Sequence, residues 1–162
     1  LSETDFQLVL QASELEKIWY FLLRSLSKSN QPISRIRQKL LQKSFSPALI
    51  ETAIEKAKSF NYLDDKKYAA SFIHDKQTLQ HWGNRRIAME LKKNGISTDL
   101  IDELLQTNER STENIPFSLR QQVKKKFTPL SDQKNKVKAI RFLLYRGYEL
   151  DSVFKFLNER DD

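Results

Sequence analysis

Residues Arg86–Leu105 read RIAMELKKNGISTDLIDELL, and the pattern recurs twice, as RIRQKLLQKSFSPALIETAI over Arg35–Ile54 and as KAIRFLLYRGYELDSVFKFL over Lys138–Leu157. The copies are offset by 51 and then 52 residues. Self-similarity at such a period marks tandem helical units. Each copy reads as helix, tight corner, helix. With Gly95 at C′, just past the helix end, Leu91 and Ile96 fall at C3 and C″, the pair that a Schellman cap brings together. The third copy places Gly147, Leu143 and Tyr148 in the same roles. The first has Leu40 and Phe45 but Ser44 at C′. A non-glycine residue costs roughly 1–2 kcal/mol in the left-handed region, so the first corner is expected to be built differently. After the corners, Ser46-Pro47 and Ser97-Thr98 read as helix starts, and Asp151 is the expected cap of the third copy. Ile50/Ile54, Ile101/Leu105 and Val153/Leu157 then mark one face of the second helix.

Outward from the repeats, Leu15, Ile18, Trp19, Leu22, Leu23 and Leu26 follow the helical period, preceded by a separate short helix over Phe6–Ala12. Helices over 33–43 and 47–60 complete the first unit, and Phe60, Tyr62 and Leu63 are expected to pack under the next corner. Asp64-Asp65 opens the second unit as a helix cap; Tyr68, Phe72 and Leu79 line its first helix. His81-Trp82-Gly83 turns the chain into helices over 84–94 and 98–107. The third unit is read as helices over 118–127, 132–146 and 151–159. Leu119, Val123 and Phe127 face inward from the first of these, and Val137, Ile140, Leu143 and Leu144 from the second. No strand alternation appears. The expected fold is all-α, three tandem three-helix repeats in an elongated, curved array. Residues 1–63 form the N-terminal helix and first repeat, 64–109 the second, 110–116 a linker and 117–162 the third.

The sequence has 162 residues and no cysteine, which excludes disulfides, thiolate metal sites and cysteine nucleophiles. No apolar run is long enough to span a membrane. His74 and His81 have no acid at ligand spacing, and helix capping accounts for Asp64-Asp65. No glycine-rich phosphate loop or catalytic serine context is present, so neither an enzyme nor a metal, cofactor or small-molecule substrate is expected. Aromatic residues at helical spacing read as core before they read as base-stacking platforms.

Charge is the informative feature. The net charge is +7, and residues 116–148 alone carry +8, with Asp132 as their one acid. That asymmetry points to a polyanionic partner or an acidic protein surface. The candidate contacts are Lys124, Lys125, Lys126, Lys134, Lys136, Lys138, Arg141 and Arg146, with Arg85, Arg86, Lys92 and Lys93 as a secondary patch.

Tyr62-Leu63-Asp64-Asp65, Tyr68-Ala69, Phe72-Ile73, Trp82-Gly83, Arg86-Ile87, Glu90-Leu91 and Gly95-Ile96 resemble the central motif of the RecX family, and Arg141–Tyr148 (RFLLYRGY) resembles its C-terminal motif. The resemblance implies a cytoplasmic, non-enzymatic modulator of the RecA recombinase. Such a protein lies in the groove of the RecA–DNA filament and suppresses ATP hydrolysis, filament growth and strand exchange. The competing reading is a simple DNA-binding protein, because a three-helix unit also resembles a helix-turn-helix and the charge suits DNA.

Overall fold

The computed structural model describes residues 2–107 and 114–159, all of whose regular structure is helical. The helices are α1 (Glu3–Lys28), α2 (Ile33–Leu41), α3 (Pro47–Ser59), α4 (Asp65–Leu79), α5 (Asn84–Lys93), α6 (Thr98–Gln106), α7 (Phe117–Lys126), α8 (Gln133–Tyr145) and α9 (Leu150–Asn158). They follow one another as three triplets. The chain divides into two compact units, one of Leu1–Ala69 with Asn94–Ile96 and one of Ala70–Lys93 with Ser97–Asp162. Residues 110–113 of the expected linker lie outside the described residues. Ile115, near its end, is buried in the core of the second unit.

In the first unit, Ile18 and Leu22 of α1 meet Ile36 and Leu40 of α2 and Ile50, Ala53, Ile54 and Ala57 of α3. The helical period of α1 is as expected, but its extent is not. The segment over Phe6–Ala12 is no separate helix. A capping box between Ser2 and Asp5 starts one continuous helix, and nothing between Ala12 and Leu15 breaks it. Phe6, Leu8, Val9 and Leu10 are exposed, so this first part does not pack on the repeat. Leu23 is also exposed; Phe60 and Tyr62 are about half exposed and gather around the Trp19 ring, at centroid separations of 6.2 and 6.3 Å, while Leu63 alone enters the core.

The corners show why the repeat is visible. Gly95 and Gly147 have φ of +78° and +91°. At the third corner Tyr148 N–H donates to Leu143 O (3.2 Å) and Gly147 N–H to Leu144 O (3.0 Å), a complete Schellman pair. The first corner keeps the left-handed residue without glycine. Ser44 takes the left-handed conformation (φ 60°) and donates its N–H to Leu41 O at 2.9 Å. Asn61 (φ 57°) ends α3 by the same device, with bonds to Lys58 O from its own N–H and to Ala57 O from that of Tyr62. The third copy departs from expectation at its other side: Glu149, not Asp151, is the N-cap of α9, and Asp151 lies in the first turn.

Asp64 and Asp65 divide two tasks. Asp64 caps its own helix, accepting from Lys67 N–H at 3.0 Å, whereas Asp65 accepts from Ile33 N–H at 2.9 Å. The second bond satisfies the start of α2, where Pro32 has no side-chain acceptor to offer.

In the second unit, Ile115, Leu119, Val123, Ala139, Leu143, Tyr148, Val153 and Phe156 form one core, with Ile140 and Phe127 packed against it. Val137 and Leu144, expected inward, are exposed, and Leu79 is 74% exposed rather than part of the α4 face. On α8 the inward positions are Ala139 and Leu143, spaced i, i+4; Val137 lies off that line. Ile73, Ile87, Leu91 and Ile101 are fully buried and come from α4, α5 and α6.

Candidate functional site

The basic residues of α7 and α8 fall into two groups. Lys124, Lys125 and Lys126 form the last turn of α7, where positive charge also complements the helix dipole. Lys126 leans over the Phe142 ring, its Nζ 4.7 Å from the centroid, and Arg146 covers the same ring at 4.8 Å. Phe127 meets Phe142 edge to face at 5.6 Å. Phe142 therefore brings Lys126 and Arg146 together. Arg146 also donates from Nη1 to the Gln80 carbonyl, so this guanidinium ties the end of α8 to the chain ahead of α5.

Lys134, Lys138 and Arg141 are exposed at i, i+4, i+7 and share one stripe of α8. With the exposed Lys125, they have no ion-pair partner among the described residues. Lys136 is half-buried and donates to Asn158 Oδ1 at 3.3 Å. Lys134 and Arg146 are separated by about 18 Å along the helix at ~1.5 Å per residue, so the charge of α8 is spread along its length.

The four cations of the secondary patch are engaged differently. Arg86 is sandwiched between Trp82 and Tyr145, with Cζ 3.8 and 4.5 Å from the two ring centroids, and its Nη1 donates to Tyr145 O at 3.4 Å. Lys93 pairs with Glu90 at 3.1 Å, leaving Arg85 and Lys92 as exposed cations. Around the Arg86 stack lies an open pocket of about 530 Å³ lined by Trp82, Tyr145, Phe142, Gln122 and Arg146 among others.

The turn into α5 is held tightly to the corner after α8. Gly83 N–H donates to Arg146 O at 2.7 Å, and Tyr148 Oη donates to His81 O at 2.9 Å. His81 adopts φ 51°, a conformation that a side chain tolerates only under such restraint. Burial raises the Tyr148 phenol to about 12. The His81 ring nitrogen Nε2 lies 3.3 Å from Ser118 Oγ. These bonds give the His81-Trp82-Gly83 turn a structural role.

A third group was not evident from the sequence: Arg24 and Lys28 on α1, Lys39 on α2 and Lys43 in the corner after α2 line a single pocket in the first unit. Its signal was the helical spacing of basic residues within, not between, apolar stripes. Among the described residues no cluster of three His, Cys, Asp or Glu side chains could hold a metal, and no helix is long and apolar enough to cross a membrane.

Helical triplets with corner caps in register, bearing exposed cations, define the class: a tandem three-helix-repeat protein. Residues 64–105 match the family model for the second three-helix domain of RecX, and residues 118–157 match that for the third. The chain is 39% identical over 132 residues to the regulatory protein RecX of Actinobacillus pleuropneumoniae serotype 5b, covering 81% of this chain and 84% of that protein. It is 34% identical over 143 residues to the regulatory protein RecX of Vibrio campbellii, covering 86% and 89%. The chain belongs to the RecX family of regulatory proteins. Two crystal structures share its fold. One, of a regulatory protein RecX, has a TM-score of 0.82 at 22% identity and covers 99% of this chain and 79% of its own. The other, of RecX from Lactobacillus salivarius, has a TM-score of 0.77 at 21% identity and covers 90% and 96%.

Proposed function

We propose that this protein regulates the RecA recombinase by binding in the groove of the RecA–DNA filament, suppressing its ATP hydrolysis, growth and strand exchange in the cytoplasm. Membership of the RecX family supports the class of partner. The observation that carries the reading to particular residues is the exposed stripe Lys134, Lys138 and Arg141, without ion-pair partners among the described residues, with Lys125 nearby in sequence on the preceding helix. Exposed cations with no ion-pair partner among the described residues are available to DNA phosphate or to acidic protein surface. No step of this activity requires a bond to be made or broken by the regulator. We take residues 1–63, 64–109 and 117–162 as its repeat units.

The test is RecA ATP hydrolysis on single-stranded DNA, titrated with the parent and with Lys134→Glu/Lys138→Glu/Arg141→Glu at two salt concentrations. The triple variant is expected to inhibit weakly, and added salt to weaken the parent in the same direction. Equal inhibition by both proteins would move the contact off this stripe. Inhibition by the parent only at amounts that coat all the DNA would favour plain DNA binding over action through the recombinase.

A further inference from the structure

The first unit carries a second electropositive feature, and its geometry differs from that of the α8 stripe. A recess of about 360 Å³ lies between α1 and α2. On α1 it is lined by Phe21, Arg24, Ser25 and Lys28, spaced i, i+3, i+4, i+7; opposite them stand Ile36, Lys39 and Leu40 of α2 and Lys43 of the corner that follows it. Two helical stripes therefore face one groove. The half-buried Phe21 ring gives the floor its accessible apolar part, over Leu22, Ile36 and Leu40, which are packed in the core; four cations stand around it: Arg24 and Lys28 from α1, Lys39 from α2 and Lys43 from the corner that follows. No acidic residue lines the recess. None of the four cations has an ion-pair partner among the described residues.

Lys39 is the most constrained of them. It is half-buried, and its ammonium donates to Ser25 Oγ at 3.2 Å and to Gln31 Oε1. Gln31 is itself only 5% exposed and is held by a bond from Nε2 to Ser25 O at 2.8 Å. Burial, and then the charges of Arg35 and Lys28, push the Lys39 ammonium below its ordinary pKa. A partly desolvated cation fixed by neutral groups and surrounded by like charge is stabilised by whatever anion enters beside it. Lys43 rests over the Phe21 ring at 4.3 Å, placing a further charge at the edge of the apolar floor.

We propose that this groove docks an acidic segment of a partner protein, with an apolar side chain seated against the Phe21 ring and the aliphatic stems of the rim, and carboxylates paired to Arg24, Lys28, Lys39 and Lys43. The combination of recess and rim selects this occupant. A phosphodiester backbone is satisfied by cations alone and gains nothing from an apolar recess, whereas an amphipathic acidic segment uses both. The volume suits one or two large side chains. The proposal goes beyond the RecA reading and does not rest on it.

The experiment uses the full chain and three fluorescent probes: a short Asp/Glu-rich peptide containing leucines, the same peptide with serine in place of leucine, and a single-stranded oligothymidylate. Binding is followed by anisotropy for the parent, Arg24→Glu/Lys28→Glu, Lys39→Met and Lys125→Glu. The leucine peptide is expected to bind the parent about tenfold more tightly than the serine peptide, reflecting burial of an apolar side chain. It should also raise the thermal midpoint of the parent. Arg24→Glu/Lys28→Glu and Lys39→Met are each expected to weaken that binding about tenfold, with Lys125→Glu as the parent. Lys39→Met keeps the aliphatic stem and tests the site without reversing charge. Equal binding of the two peptides, or leucine-peptide binding unaffected by Lys39→Met, would overturn the proposal. So would variants that lose the oligothymidylate while the parent ignores both peptides, since the groove would then hold phosphate.

Discussion

A side chain at Gly83 would overlap the carbonyl group of Gly147 and approach Tyr148 N to within 2.8 Å. The two glycines belong to the turn before α5 and the corner after α8, and their backbones close on one another because neither carries a Cβ. Gly147 is confined from a second direction: a Cβ there would stand 2.5 Å from the backbone nitrogen and the Cβ of Arg86.

Gly83→Ala is accordingly expected to destabilise the second unit by about 1–3 kcal/mol, because both the clashing atoms and the Gly83–Arg146 hydrogen bond are backbone and have little room to shift. Urea unfolding measures this directly. An unchanged midpoint would show that the contact is not maintained in solution.

Asp64→Ala and Asp65→Ala should separate two caps that are adjacent in sequence. Each loss is expected to cost about 1 kcal/mol. Amide exchange at Ile33 should accelerate in Asp65→Ala and not in Asp64→Ala, since only Asp65 accepts from Ile33 N–H. Identical exchange in the two variants would remove Asp65 from that role.

Tyr148 gives the second unit an alkaline limit. Its phenol is raised to about 12 by burial, above the ordinary value of 10.0. The folded state therefore holds the proton that the unfolded chain has already released. The stabilisation is complete below about pH 10 and is lost as pH rises toward 12, by on the order of 2 kcal/mol. Thermal midpoints recorded across that range should decline in the parent. The decline should flatten in Tyr148→Phe, which starts lower through loss of the bond to His81 O.

Arg86→Lys should loosen the Trp82–Arg86–Tyr145 stack while retaining the charge. An ammonium cannot lie flat between two rings and still reach Tyr145 O. The expected cost is about 0.5–1 kcal/mol, with a change in the near-ultraviolet dichroism of Trp82. A spectrum matching the parent would show that the stack contributes nothing to order there.

The candidate contacts were legible only in part. Lys134, Lys138 and Arg141 stand exposed as their charge suggests, but Arg86 and Arg146 are drawn onto aromatic rings, a pairing that residue type and spacing do not reveal. Lys39 was hidden for the opposite reason. It looks like one more surface lysine until Gln31 and Ser25 are seen to hold it.

The sequence by itself determined most of the helices, the two glycine corners and the family, because these depend on local rules. A 3.6-residue apolar period, a cap and a left-handed C′ position each act within a few residues, and they recur in register at Arg35, Arg86 and Lys138. Ser44 shows the reach of those rules: the local pattern around it imposed the left-handed corner even without glycine. Tertiary structure alone decided which apolar residues are buried and which cations remain unpaired. Val137, Leu144 and Leu79 satisfy the helical period loosely yet meet no partner, while Ala139 is fully buried because another element lies over it. The closeness of Gly83 to Gly147, the reach of Asp65 to Ile33 and the recess between α1 and α2 all join residues distant in the chain. Such contacts are fixed by how helices pack, and no periodicity within one helix encodes them.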